Sequence, residues 1–171
     1  MLASEALSLE NQGVLSVSRG AMSGANQKAL IFHLGSIPFL LELAQVVEVV
    51  EQTAEMLDAG RSDISRGIVS ALWFRKTWIP VVDPALKLDI SSAVEINDKT
   101  AIVLHSSEGN WALLVDDISE LSVMDDFKSC SIPFLLKVSA TDCYSQVKLL
   151  HDRPVVVFEP ESYYGSTVCS G

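Results

Sequence analysis

Apolar residues recur at alternate positions along much of this chain. Leu30, Phe32 and Leu34 take every second place, Gly35-Ser36 interrupts, and Phe39, Leu41 and Leu43 resume the period. A period of two puts these side chains on one face of a pleated strand, so the segment predicts two strands joined by a tight turn. Residues 44–51 hold Val46, Val47, Val49 and Val50. Such β-branched side chains lose χ1 freedom in a helix and pack well on a sheet, which makes a third strand. Residues 52–66 have mixed polar character and read as a long loop with a helical turn. Residues 67–74 and 76–82 read as two strands with a polar corner at Arg75-Lys76. Asp83-Pro84 supplies an N-cap and a first-position proline for a short helix ending at Leu88.

Residues 90–98 are polar and form a surface connector. Beyond them, residues 100–105 and 111–115 predict a hairpin, because Gly109 and Asn110 tolerate positive φ. Ile118, Leu121 and Val123 continue the strand pattern, residues 132–138, 146–150 and 155–158 give three more strands, and Pro160-Glu161 opens a last short helix. Residues 1–27 lack periodicity apart from Leu2, Ala6 and Leu7, and are expected to be a flexible lead-in with at most one helical turn. Residues 165–171 are expected to be a flexible tail, leaving 28–164 as the folded domain. About ten short strands and few helices argue for an all-β barrel or sandwich. Ser36-Ile37-Pro38-Phe39-Leu40-Leu41 recurs as Ser131-Ile132-Pro133-Phe134-Leu135-Leu136. Pro80-Val81-Val82 and Pro154-Val155-Val156 repeat at a different offset, so a strict duplication is not supported.

Composition narrows the function. Of 171 residues 49% are hydrophobic and 20% charged, which suits a folded domain rather than a disordered one. The net charge of -10 repels phosphate backbones and anionic lipid, so a protein or small-molecule partner is expected, with no nucleic acid and no membrane insertion. No apolar run approaches a membrane span, and Glu5 and Glu10 stand where a signal peptide has a basic start and an apolar block. The expectation is a cytoplasmic protein whose Cys130, Cys143 and Cys169 stay reduced.

Catalytic signatures are missing. No phosphate-cradling Gly-rich loop, dinucleotide fingerprint or Gly-X-Ser-X-Gly elbow occurs, and none of the three histidines has a second His or Cys at ligand spacing. His33 reads as a satisfied core or edge imidazole, with His105 and His151 near loops. Asp116-Asp117 and Asp125-Asp126 read as solvated carboxylates, since neighbours on a strand point to opposite faces. Trp73, Phe74, Trp78 and Trp111 read as β-core filler, and Cys143 lacks an evident base. No catalytic residue, cofactor or metal is expected, which leaves a binding module.

Several segments, in order, resemble the CheW-like family, the coupling adaptors of bacterial chemotaxis arrays. They are Phe32-His33-Leu34-Gly35; Phe39 to Leu43; Val46-Val47-Glu48-Val49-Val50; Gly67-Ile68-Val69; Ile79-Pro80-Val81-Val82-Asp83 with Leu86 and Leu88; and Leu113-Leu114-Val115-Asp116 with Ile118, Glu120 and Leu121. The resemblance covers about residues 28–164. It implies two small five-stranded β-barrels of SH3-like type packed on a shared core, with a few short helices. It also implies a non-enzymatic adaptor bridging a methyl-accepting chemotaxis receptor and the regulatory domain of a histidine autokinase. The alternative is a degenerate CheW-like scaffold whose partner lies outside kinase–receptor arrays.

By the same resemblance the partner-binding residues are Val47, Glu48, Val49, Arg75 and Trp78 on the first barrel and Ile118 and Leu121 on the second. Each apolar position has a core reading beside this one. Glu48 is expected to pair with Arg75, the alternative being two independent surface charges. The family's pattern departs at one corner, where its Asn, Leu and Gly become Trp73, Phe74 and Lys76 around the surviving Arg75; its later Gly becomes Ala112. If Lys76 cannot take the glycine's backbone geometry, that corner must be rebuilt, and its two adjacent aromatics and two cations read either as a specific binding surface or as loop filler.

Overall fold

The computed structural model describes residues 7–10, 14–17, 27–130 and 146–167. The strands are β1 (Leu7–Glu10), β2 (Val14–Val17), β3 (Lys28–Leu34), β4 (Ile37–Glu42), β5 (Val46–Val50), β6 (Leu57–Asp58), β7 (Ile68–Phe74), β8 (Thr77–Val82), β9 (Thr100–Ser106), β10 (Gly109–Val115), β11 (Asp117–Val123), β12 (Phe127–Cys130), β13 (Val147–Leu150) and β14 (Arg153–Val157). Two helices join them, α1 (Pro84–Lys87) and α2 (Pro160–Thr167), and 3-10 turns fill most of residues 53–66.

The strands form two sheets with the same path. In the first, ordered β1-β2-β5-β9-β10-β8-β7-β6, the bulged strand β5 lies beside the β9–β10 hairpin. Then β10 pairs in parallel with β8, which leads to β7 and the short edge β6. In the second, ordered β11-β3-β4-β14-β13-β12, bulged β11 flanks the β3–β4 hairpin, β4 pairs in parallel with β14, and β13 and β12 follow. Each unit therefore runs six strands deep, with β1–β2 extending the first. The all-β architecture of two packed units agrees with the sequence reading, although the ladders are open sheets and not closed five-stranded rings. The echo at residues 131–136 lies outside the described residues, as does the strand expected at 132–138.

Alternation explains how one strand serves two cores. Ala29 and Ile31 of β3 face the interior of the second unit with Leu40, Phe127, Leu150 and Val155. Leu30, Phe32 and Leu34, on the opposite face, enter a central cluster with Leu41, Ile102, Leu104, Trp111 and Leu113. Strands β9 and β10 divide likewise: Ala101, Val103, Ala112 and Leu114 fill the first unit with Leu72, Phe74 and Val81, while their neighbours face the centre. Helix α2 caps the central layer through Tyr163 and Tyr164, with Trp111 and Tyr163 stacked at 6.3 Å. Two units sharing a third core is what such double-sided strands require.

Local chemistry sets the joints. Asp83 caps α1 as expected, its Oδ1 accepting from the Ala85 N–H at 3.1 Å. At the corner between β7 and β8, Arg75 and Lys76 take φ of 48° and 68°, the left-handed pair that matches the twist of a two-residue hairpin, so Lys76 adopts a backbone that glycine takes more readily. His151 and Asp152 make the equivalent corner between β13 and β14, at φ 49° and 63°. Two expectations are corrected. Within residues 1–27, β1 and β2 form a hairpin that pairs with β5, because the edge of β5 not used by β9 presents unpaired backbone groups. At the other end, α2 continues past Tyr164 to Thr167.

Candidate functional site

Glu48 and Arg75 meet as expected. Arg75 Nη2 donates to Glu48 Oε2 at 2.7 Å, joining β5 to the β7–β8 corner. The carboxylate is mostly shielded while the guanidinium is 62% exposed, so the pair stabilises by about 1 kcal/mol or less. The Arg75 guanidinium also lies 4.9 Å from the Phe74 ring centre, which fixes its direction.

Beside it, Trp73 and Trp78 are cross-strand partners with ring centroids 5.1 Å apart. They are 44% and 37% exposed, which overturns the core reading of both and leaves the surface reading given to Trp78 and to the corner; Trp111 and Phe74 do lie in the core. The reason is strand phase. Leu72 and Phe74 point inward, so Trp73 between them must point out. Arg61 lies over Trp78 at 4.7 Å and pairs with Asp58 at 3.1 Å.

The remaining positions divide. Val47 is half-buried against the first unit's interior. Val49 is 3% exposed and packs in the central cluster, so as a surface contact it is corrected to a core residue; its place beside Ile102 on β9 puts it there. Ile118 and Leu121 sit half-buried against the central cluster, on β11 opposite Phe32 and Leu30. They occupy an edge strand of the second sheet, whereas Glu48, Arg75 and Trp78 belong to the first.

A buried charge cluster was not legible in the sequence. Lys99 Nζ donates to Asp83 Oδ2 at 2.9 Å and to Asp116 Oδ1 at 3.1 Å, all three side chains being 4–6% exposed. Asp116 also accepts from the Ser92 hydroxyl at 2.8 Å and the Gly35 N–H at 2.6 Å. The expectation of a solvated Asp116 is therefore corrected, whereas Asp117, Asp125 and Asp126 are exposed. Burial works against the charge on Lys99, but the Asp83 and Asp116 carboxylates outweigh it and hold its pKa above the ordinary lysine value. Burial likewise opposes charge on Asp116, yet the Gly35 N–H, the Ser92 hydroxyl and Lys99 together hold its pKa below the ordinary carboxylate value. The cluster ties the ends of β8 and β10 and the start of β9 to the β3–β4 turn, and so clamps the two units together.

His33 differs from expectation too. Its Nδ1 is buried without a hydrogen-bond partner, on the wall of an open cleft of about 570 Å³ lined also by Gly35, Ser91 and Asp116. Among the described residues no group of three or more His, Cys, Asp or Glu side chains is placed to hold a metal ion. None of the described helices is long and apolar enough to cross a membrane.

The sequence profile of the CheW-like domain matches residues 28–164. The chain belongs to the CheW-like family. Its fold is similar to that of the scaffolding protein TtCheW from Thermoanaerobacter tengcongensis, known from a crystal structure, with a TM-score of 0.64 at 17% identity. That similarity covers 80% of this chain and 91% of the other. No curated protein sequence matches the chain. In this CheW-like domain Glu48 and Arg75 are joined as an ion pair, and Trp73 and Trp78 form an exposed aromatic ledge beside them.

Proposed function

We propose that the chain is a non-enzymatic adaptor that couples a methyl-accepting chemotaxis receptor to a histidine autokinase in the cytoplasm, through protein–protein contacts alone. Membership of the CheW-like family across the whole of residues 28–164 carries this reading. The similar structure of TtCheW is that of a scaffolding protein, which accords with it. A bridging role needs two faces that can be occupied together. The positions assigned by resemblance supply them, with Val47, Glu48, Arg75 and Trp78 on the first sheet and Ile118 and Leu121 on the edge of the second. Aromatic and arginine side chains at such faces are the residues that most often dominate binding energy.

Capture of the cognate kinase regulatory domain and the receptor tip by the purified chain tests the proposal. Wild-type protein is expected to retain both, and Ile118→Asp or Leu121→Asp to lose the kinase while staying folded by circular dichroism. Wild-type protein that retains neither partner would sink the adaptor reading. The altered corner at Trp73, Phe74 and Lys76 favours a second reading, a CheW-like scaffold serving a partner outside kinase–receptor arrays. Under that reading the captured proteins include no kinase.

A further inference from the structure

The tip of the β7–β8 hairpin combines exposed apolar surface with positive charge. Trp73 and Trp78 stand against each other in water, and contiguous exposed aromatics are uncommon on a protein that does not use them for binding. Arg61 lies over Trp78, while Arg75 and Lys76 form the turn itself. Arg61, Arg66, Arg75 and Lys76 stand here against Asp58, Asp63 and Glu48, the first and last of which pair with Arg61 and Arg75, a net of +1 in a chain of -10. The remainder of the chain taken together is strongly acidic, and this ledge carries a positive balance against it. Arg61 and Arg75 each use one N–H on a neighbouring carboxylate, and a guanidinium has five.

We propose that this ledge docks an acidic polypeptide segment, whose carboxylates meet Arg61, Arg75 and Lys76 while an apolar side chain packs on the Trp73 and Trp78 rings. The proposal deepens the adaptor reading and rests on it for its setting, by naming the chemistry of the partner that reaches Trp78 and Arg75. Charge complementarity selects an acidic occupant. The acidic remainder of the chain repels an extended polyphosphate, whereas a short peptide confines its charge to the ledge. The segment binds through side chains and not as an added strand, because the Trp73 N–H already donates to the Met56 carbonyl at 2.9 Å and covers that edge.

The intact chain is titrated with three probes while tryptophan emission is followed; Trp111 is 1% exposed and reports little of events at the ledge. The probes are a short peptide of Asp and Glu with one central Phe, the same peptide with Lys for every acid, and oligothymidylate. Only the acidic peptide is expected to give a saturable blue shift, weakened about tenfold in high salt. The double variant Arg61→Glu/Lys76→Glu, which keeps both rings, abolishes that shift. No saturable response to the acidic peptide, an equal response to the lysine peptide, or equally tight oligothymidylate binding each overturns the proposal. Trp73→Ala/Trp78→Ala should also lose binding of the labelled acidic peptide; if it unfolds, the charge variant decides. A chain that captures the kinase but ignores the peptide defeats this proposal alone, and one that binds the peptide but captures no kinase or receptor defeats only the adaptor reading.

Discussion

Lys99→Met removes the ammonium group from the clamp between the two units and leaves two carboxylates facing one another. Both Asp83 and Asp116 lie within 3.1 Å of the same nitrogen, so their near oxygens are at most about 6 Å apart. At an effective dielectric constant of about 20, two like charges at that separation repel by about 3 kcal/mol. Asp83 keeps its bond from the Ala85 N–H, and Asp116 keeps those from Gly35 and Ser92, which limits the damage. A loss of about 3–5 kcal/mol is expected, in line with other buried pairs broken from one side. That is a large share of a domain's usual 5–15 kcal/mol or so. Urea denaturation followed by tryptophan emission measures it, and the dependence on pH identifies its origin. In the wild type the pKa of Asp116 is depressed, so its stabilisation is complete above the ordinary value of about 3.9 and is lost as pH falls through the folded value. The pKa of Lys99 is raised, so its contribution is complete below about 10.4 and is lost as pH rises through the folded value. Wild-type stability from this cluster is thus level between those limits. In Lys99→Met the paired carboxylates have nothing to offset them, one of them takes up a proton more readily, and stability rises as pH falls from 7 towards 5. A loss under about 1 kcal/mol, or an unchanged slope with pH, would falsify the clamp.

Other substitutions probe the joints. Lys76→Gly relieves a side chain held at φ 68° and should raise stability by about 0.5–1 kcal/mol, read as a higher melting temperature; a lower one refutes strain at the corner. Gly35→Ala puts a Cβ against the Ser91 carbonyl oxygen at φ +57° and should cost about 2 kcal/mol or more, with unchanged stability as the contrary result. Arg75→Glu places like charges opposite Glu48 and should weaken partner capture, and the exchange Glu48→Arg/Arg75→Glu, which restores the pair but leaves a carboxylate at position 75, should not recover it; full recovery would mean that the arginine only holds the corner and does not meet the partner.

The alternation of apolar residues settled which segments are strands, because burial on a pleated face is a local property written every second residue. Leu30, Phe32 and Leu34, the β-branched run of β5 and the Asp83-Pro84 helix start were all readable for that reason. The Glu48–Arg75 pair was legible only through the order of family-like segments, since nothing local joins residues 27 positions apart. Phase within a strand could have found more: once Leu72 and Phe74 are taken as inward, Trp73 must be outward.

Tertiary structure alone decided the rest. Strands such as β3, β9 and β10 are apolar on both faces, so their pattern does not say which face meets which core; only the packing of two sheets assigns Ile31 to one interior and Phe32 to another. The same holds for Val49, drawn into the centre while Val47 stays at the first unit's rim. Asp83 and Asp116 read separately as a helix cap and a solvated acid, and Lys99 falls between the connector and the strand that follows it, with no role of its own. They become one charged cluster because the parallel pairing of β10 with β8 brings their strand ends together, and charges withdrawn from water must find each other there.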